Sequence, residues 1–215
     1  MALKLISFTI CPFVQRSVIT LTEKEVDFEI SYIDLANKPN WFLKLSPLGK
    51  VPLLQIDHQV LFESSAINEY LEDTYTPKLH PTDLFIRATN RAWIEVANQI
   101  SATQFKLAMA QQTTDGKIAL QRLIELLHQL ENQLEAGPFF NGEAFSLIDS
   151  CLAPFFTRQR LLNHYLDPIP TVALPKVTAY GKQLLARKSV IGSVVTDYQQ
   201  IYQQRLIQQQ SWLLL

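Results

Sequence analysis

Few residues in this chain can do covalent or metal chemistry, and their spacing narrows the choice. There are two cysteines, Cys11 and Cys151, and four histidines, His58, His80, His128 and His164. Two cysteines cannot build a disulfide framework or a structural zinc site, and no two histidines have His-Glu-x-x-His spacing, so no metal site is expected. The six glycines include one pair at phosphate-loop spacing, Gly137 and Gly142, but Glu143-Ala144 follows where such a loop needs Lys-Ser/Thr. No two glycines stand two apart, so a dinucleotide fingerprint is absent as well. Cys11 remains, in Cys11-Pro12-Phe13-Val14 at a strand-to-helix turn. The free N–H groups and positive dipole end of a helix stabilise a thiolate there and lower its pKa to about 3.5–7.5. This predicts a nucleophile at neutral pH. The competing reading is a small buried hydrophobe, and the position at the helix start favours the nucleophile. Val14 stands where a second cysteine would make a dithiol pair, so an outside thiol must resolve any mixed disulfide. Cys151, at the apolar helix start Ser150-Cys151-Leu152-Ala153-Pro154, reads as core.

The elements that must position Cys11 follow from hydrophobic period. Leu3 to Phe8 is a short apolar run, and Pro12 suits the first turn of a helix carrying Val14, Val18 and Leu21. Phe28 to Ile33 alternates as a second strand. A weak helical segment, Pro39 to Leu45, ends at Ser46-Pro47-Leu48-Gly49. Val51 to Ile56 and Val60 to Phe62 flank the turn Asp57-His58, and Ser64 is placed to cap a helix through Ala66, Ile67, Tyr70 and Leu71. The order is βαβαββα. Thr74 to Pro81 is punctuated by proline, and beyond it the pattern is helical. Leu84 to Ile100 forms one long helix, and Leu120 to Leu134 another, ended by Gly137-Pro138. Ser146 and Asp149 have capping-box spacing. Stretches near Thr178 to Lys188 and Val194 to Leu206 complete the set. The division expected is an α/β unit, 1–76, a linker, 77–82, and an all-helical unit, 83–215.

Charge excludes other classes. The 215 residues carry 19 Lys+Arg against 20 Asp+Glu, and no basic stripe of the kind nucleic-acid binders show is visible. No apolar run approaches about 18 residues and no basic segment precedes an apolar N-terminus, which predicts a cytoplasmic protein with no membrane segment.

Two further sites admit two readings from their residues alone. Val51-Pro52 opens a strand lacking one backbone donor, which marks an edge or a bulge. Alternatively, a cis bond would leave the Val51 N–H and C=O free for a peptide-like ligand. Ser64 is a helix cap, or part of a helix N-terminus that receives a ligand carboxylate. Lys38 by itself is a solvated lysine.

The segment from Ile10 to Tyr75 resembles the thioredoxin-like domain of cytosolic glutathione transferases of the cysteine type. The matching stretches are Cys11-Pro12-Phe13-Val14-Gln15-Arg16, Thr20 to Lys24, Asn37 to Leu43, and Ser46-Pro47-Leu48-Gly49-Lys50-Val51-Pro52. They are similar to omega-class enzymes and plant dehydroascorbate reductases. Phe139-Phe140-Asn141-Gly142 and Phe145 to Asp149 resemble the capping motif of the helical domain. The resemblance implies a mixed-sheet thioredoxin-like domain followed by a helical one. It implies that Cys11 forms the mixed disulfide with glutathione and that Lys38 takes the glycine carboxylate. Val51, beside a cis proline at Pro52, pairs with the cysteinyl moiety, and Glu63 and Ser64 hold the γ-glutamyl end. Phe13 lines the site. Glutathione is then the co-substrate, acting on a small electrophilic, disulfide or oxidised partner in a homodimeric enzyme. Glu63 leans to the omega pattern, because the reductases usually carry Asp there, whereas Phe42 through Val51 leans to the reductases. The chemistry implied is thiol transfer or glutathione-dependent reduction. The alternatives are a non-catalytic binding or regulatory protein on the same fold, and a membrane-inserting relative of the intracellular chloride channels.

Overall fold

A computed structural model describes residues 2–166 and 174–215. Its first unit contains β1 (Leu3–Ser7), α1 (Pro12–Glu23), β2 (Glu29–Tyr32), α2 (Asn40–Leu45), β3 (Leu53–Ile56), β4 (Gln59–Phe62) and α3 (Ser64–Thr74). The expected order βαβαββα is the observed one. The sheet runs β2-β1-β3-β4, with β1 parallel to β2 and β3 antiparallel to both β1 and β4. Leu3, Leu5 and Leu54 meet Val18 of α1 and Ile67 and Leu71 of α3 on one face, while Ile6 and Leu53 meet Phe42 of α2 on the other. The central strands therefore carry apolar residues on both faces, interrupted by the paired Lys4 and Gln55, which is why β1 reads as an apolar run with mixed alternation.

The second unit contains α4 (Leu84–Met109), α5 (Thr113–Gln133), α6 (Leu147–Leu162), α7 (Pro175–Ala186), α8 (Lys188–Ile191) and α9 (Tyr198–Gln208), then a 3-10 turn, Trp212–Leu214. Several boundaries differ from the sequence reading. Helix α5 stops at Gln133 with Leu134 as its cap, short of Gly137-Pro138. The stretch expected from Thr178 to Lys188 is two helices, because Arg187 takes an extended conformation between them. The tail is packed: Trp212 Nε1 donates to Leu107 O (2.9 Å) and its backbone N–H to Ala110 O (2.9 Å).

Helix α6 is the pillar of the molecule, buried on nearly every side. It begins at the expected capping box, where the Ser146 N–H and hydroxyl both donate to Asp149 Oδ2 (2.7 and 2.6 Å). Phe140 N–H and the Tyr180 hydroxyl donate to Oδ1 of the same carboxylate (2.9 and 2.7 Å). Four donors satisfy the charge, although burial still pushes the Asp149 carboxyl up. Helix α1 lies between the sheet and α6, so its polar residues Gln15, Arg16, Ser17 and Thr20 are buried too. They bridge the two units: Thr20 Oγ1 donates to Ser150 Oγ (3.0 Å) and Gln15 Nε2 to Thr157 Oγ1 (3.1 Å).

The proline-rich connection is fastened rather than loose. Glu72 at the end of α3 accepts from the backbone N–H groups of Leu79 and His80 (2.9–3.0 Å) and from Lys24 Nζ (2.7 Å). Lys24 also donates to Pro77 O (2.7 Å) and Tyr75 O (3.2 Å), and Leu79 packs in the helical core.

Candidate active site

Strand register brings the sequence-predicted residues to one edge of the sheet. Ser7 at the end of β1 pairs with Tyr32 at the end of β2, so the loops carrying Cys11 and Lys38 leave the sheet side by side. Ile6 of β1 pairs with Leu53 of β3, and Leu53 with Phe62 of β4. Val51 and Pro52, just before β3, and Glu63 and Ser64, just after β4, therefore stand at that same edge. Cys11 and Val51 pack against one apolar cluster. The Val51–Pro52 peptide bond is cis, and Val51 lies outside the β3 ladder.

Cys11 is the N-cap of α1, with extended backbone (φ −74°, ψ 121°) and Pro12 as the first helical residue. Its side chain is half-buried. Here the structure corrects the sequence reading. Burial pushes the Cys11 thiol up, more strongly than the Val14 and Phe13 N–H groups and the guanidinium groups of Arg158 and Arg16 pull it down. The helix terminus is present, but loss of hydration outweighs it.

The other residues take distinct places. Phe13 lies beneath the Arg16 guanidinium, 5.0 Å from ring centroid to Cζ. Lys38 is exposed, and its ammonium folds over Gly49, where a Cβ would stand 3.6 Å from Nζ. Gly49 has φ +59°, so the turn before Val51 favours glycine. The N-cap of α3 is Glu63 rather than Ser64, at φ +68°, and Ser64 is its first helical residue. Among the described residues no side chain makes a capping hydrogen bond to this helix, which leaves the N–H groups of its first turn to an anion. Cys151 is 1% exposed in α6, as expected of core. Trp93 packs on the helical core, and Phe105 is exposed.

Sequence reasoning missed the residues that the helical unit places behind Cys11. Arg158 of α6 donates through Nη2 to Ile10 O (2.7 Å) and through Nη1 to Gln15 Oε1 (2.7 Å). Tyr198 of α9 carries the Arg158 guanidinium 5.6 Å from its ring centroid. With Cys11, these groups line a cavity of about 10 Å³. A signal was available: Arg158 is a charge on the mostly buried helix α6, where Arg160 beside it reaches solvent.

Comparison with known proteins places both units. The family model described as glutathione S-transferase, N-terminal domain, matches residues 10–74, and that described as glutathione S-transferase, C-terminal domain, matches residues 89–180. The probable glutathione S-transferase DHAR1, cytosolic, of Oryza sativa subsp. japonica is 36% identical over 185 residues, covering 84% of this chain and 82% of the relative. The probable glutathione S-transferase DHAR2, chloroplastic, of the same species is 33% identical over 187 residues; the match covers 86% of this chain and spans only 65% of that relative's length. The crystal structure of glutathione transferase Omega 3C from Trametes versicolor superposes with a TM-score of 0.80 at 33% identity, covering 89% of this chain and 88% of that one.

Proposed function

Because the chain belongs to the glutathione S-transferase family, we propose that it is a cysteine-type member that performs glutathione-dependent thiol transfer or reduction through a mixed disulfide on Cys11. The observation that carries this reading is Cys11 at the N-cap of α1, half-buried, on the sheet edge shared with Val51, Glu63 and Ser64. A serine or tyrosine there would hold glutathione's own thiolate for attack on an electrophile, whereas a cysteine becomes the nucleophile itself. In the reacting fraction the Cys11 thiolate attacks a disulfide or glutathionyl sulfur, the bond pair leaves on the displaced thiolate, and a sulfur–sulfur bond to Cys11 forms. Glutathione thiolate then attacks the glutathione sulfur of that mixed disulfide, forming oxidised glutathione and freeing Cys11.

Glutathione binding is assigned along the same edge. Lys38 takes the glycine carboxylate, Val51 pairs its backbone with the cysteinyl moiety, and Phe13 lines the floor. Glu63 takes the γ-glutamyl ammonium, and the open first turn at Ser64 takes the γ-glutamyl carboxylate. The glutathione-binding unit is assigned to 1–76 and the helical unit to 83–215, with 77–82 between them. A homodimer in the cytoplasm completes the reading, to be checked by sedimentation and by fractionation against the chloroplast that one relative's name records. Among the described residues no helix is long and apolar enough to cross a membrane.

The test is intact mass after incubation with oxidised glutathione, with Cys11→Ser alongside. One glutathionyl adduct is expected on the wild type and none on the variant. Full reductase activity of Cys11→Ser with dehydroascorbate and hydroxyethyl disulfide would sink the mechanism. If glutathione fails to raise the melting temperature as mass action requires of a bound ligand, the reading as a non-catalytic binding or regulatory protein takes its place.

A further inference from the structure

The groups behind Cys11 include a charge that the fold alone does not explain. Arg158 is 5% exposed, yet its acceptors are all neutral: Gln15 Oε1 (2.7 Å), Pro154 O (2.8 Å) and Ile10 O (2.7 Å). Among the described residues no carboxylate pairs with it. Burying a cation without a counter-ion is costly. Joining α6 to the Ile10 carbonyl requires an N–H donor, which a neutral amide would supply. Tyr198 is a second such group: it is 5% exposed and its hydroxyl has no partner among the described residues. Both line the cavity of about 10 Å³ beside Cys11, together with Gln15 and Ser193. That volume holds a single water-sized group. The anion that this site's chemistry generates is on Cys11 Sγ.

We propose that Arg158 is a positioning residue of the reaction: the fixed cation that receives the negative charge on Cys11 Sγ when the glutathione mixed disulfide is cleaved. The inference rests on Cys11 being the sulfur that carries glutathione. In the resolving step the glutathione thiolate attacks the glutathione sulfur, the bond to Cys11 Sγ breaks, and its electron pair leaves on Cys11. A guanidinium already in place costs no reorganisation at that moment. The same field acts on the resting thiol, where Arg158 and Arg16 oppose the effect of burial. The other titratable groups facing this corner are Tyr198 and Tyr202 from α9 and Tyr32 from β2. Burial raises all three tyrosines above the ordinary phenol value, so they carry no charge at neutral pH.

The experiment is the pH dependence of Cys11 alkylation by iodoacetamide, read as peptide mass, in the wild type, Arg158→Met, Arg158→Gln and Arg158→Lys. Removing the charge is expected to move the midpoint upward by about 1 pH unit, the low end of the range for a nearby opposite charge, because the Val14 N–H acts on this thiol more strongly than Arg158 does. Arg158→Lys keeps the charge but loses the forked hydrogen bonds and is expected to move it by less than half as much. A mere clamp gives the reverse pattern, with Lys as disruptive to stability as Met and the midpoint unmoved in every folded variant; that overturns the proposal. The wild type alone supplies a check that needs no variant. The anionic reagent iodoacetate should gain on iodoacetamide at Cys11 relative to free glutathione, and a ratio no higher than that of free glutathione also overturns it. An unmoved midpoint with a normal glutathionyl adduct removes only the role of Arg158, whereas absence of the adduct removes the mixed-disulfide reading itself.

Discussion

Replacing Glu72 by alanine should unfasten the two units from each other. The Glu72 side chain is 2% exposed and that of its partner Lys24 is 0% exposed, with Nζ to Oε2 at 2.7 Å. Three donors converge on the carboxylate: the Lys24 ammonium and the N–H groups of Leu79 and His80. Removing it leaves an ammonium held only by two carbonyl oxygens and two buried N–H groups without an acceptor. Breaking one half of a buried pair costs about 3–5 kcal/mol. That is a large fraction of a total stability of about 5–15 kcal/mol. At about 2–4 °C per kcal/mol for a chain of this size, the melting temperature should fall by roughly 6–20 °C. The double variant Lys24→Met/Glu72→Leu should recover part of the loss, because apolar residues replace a buried pair at little net cost. It should stay below wild type, because each of the two orphaned N–H groups costs about 1–3 kcal/mol at most. Burial raises the Glu72 carboxyl, but Lys24 and the two N–H groups outweigh it and hold it below the ordinary range. Its contribution is therefore complete above the ordinary carboxylate pKa and is lost as pH falls through the lowered folded one, so the variant's stability should be flatter in acid than the wild type's. Urea and thermal unfolding across pH measure all of this. A loss under 1 kcal/mol, or a double variant no better than the single, would refute the reasoning.

Three other outcomes are expected. Lys38→Ala should raise the glutathione KM about tenfold, the value of one charge-assisted hydrogen bond of about 1.5 kcal/mol, with kcat little changed; steady-state kinetics decide it, and an unchanged KM returns Lys38 to solvent. Gly116→Ala would set a Cβ 2.1 Å from Trp212 Cε2, so the indole must leave its seat on α5; a loss of about 1–3 kcal/mol with a red shift of tryptophan emission is predicted. Burial raises Glu69, but hydrogen bonds and charge from His80 and Arg91 hold it down to about 2. Glu69→Gln should therefore cost stability above the ordinary carboxylate pKa and lose that deficit as pH falls toward 2, which acid unfolding curves will test.

Much of this molecule is written locally. The strand-turn-helix at Cys11, the hairpin around Asp57-His58, the Ser146–Asp149 capping box and the change of period after Pro81 depend on neighbours within a few residues, so residue type and spacing reveal them. The register that aligns Val51 and Ser64 with Cys11 pairs strands far apart along the chain, and the family resemblance rather than local pattern anticipated that grouping. Helix limits near Leu134 and Arg187 were less legible, because no glycine or proline marks where those helices stop. The state of the Cys11 thiol lay outside local pattern altogether. The sequence by itself determined that a cysteine stands at a helix start on the sheet edge and has no second thiol beside it. Only the tertiary structure decided how that thiol is hydrated and which cation faces it, since Arg158 reaches the Ile10 carbonyl from 148 residues away along the chain. Dehydration and Coulomb attraction act through space, and whether the helix terminus or burial prevails depends on what α6 and α9 press against it.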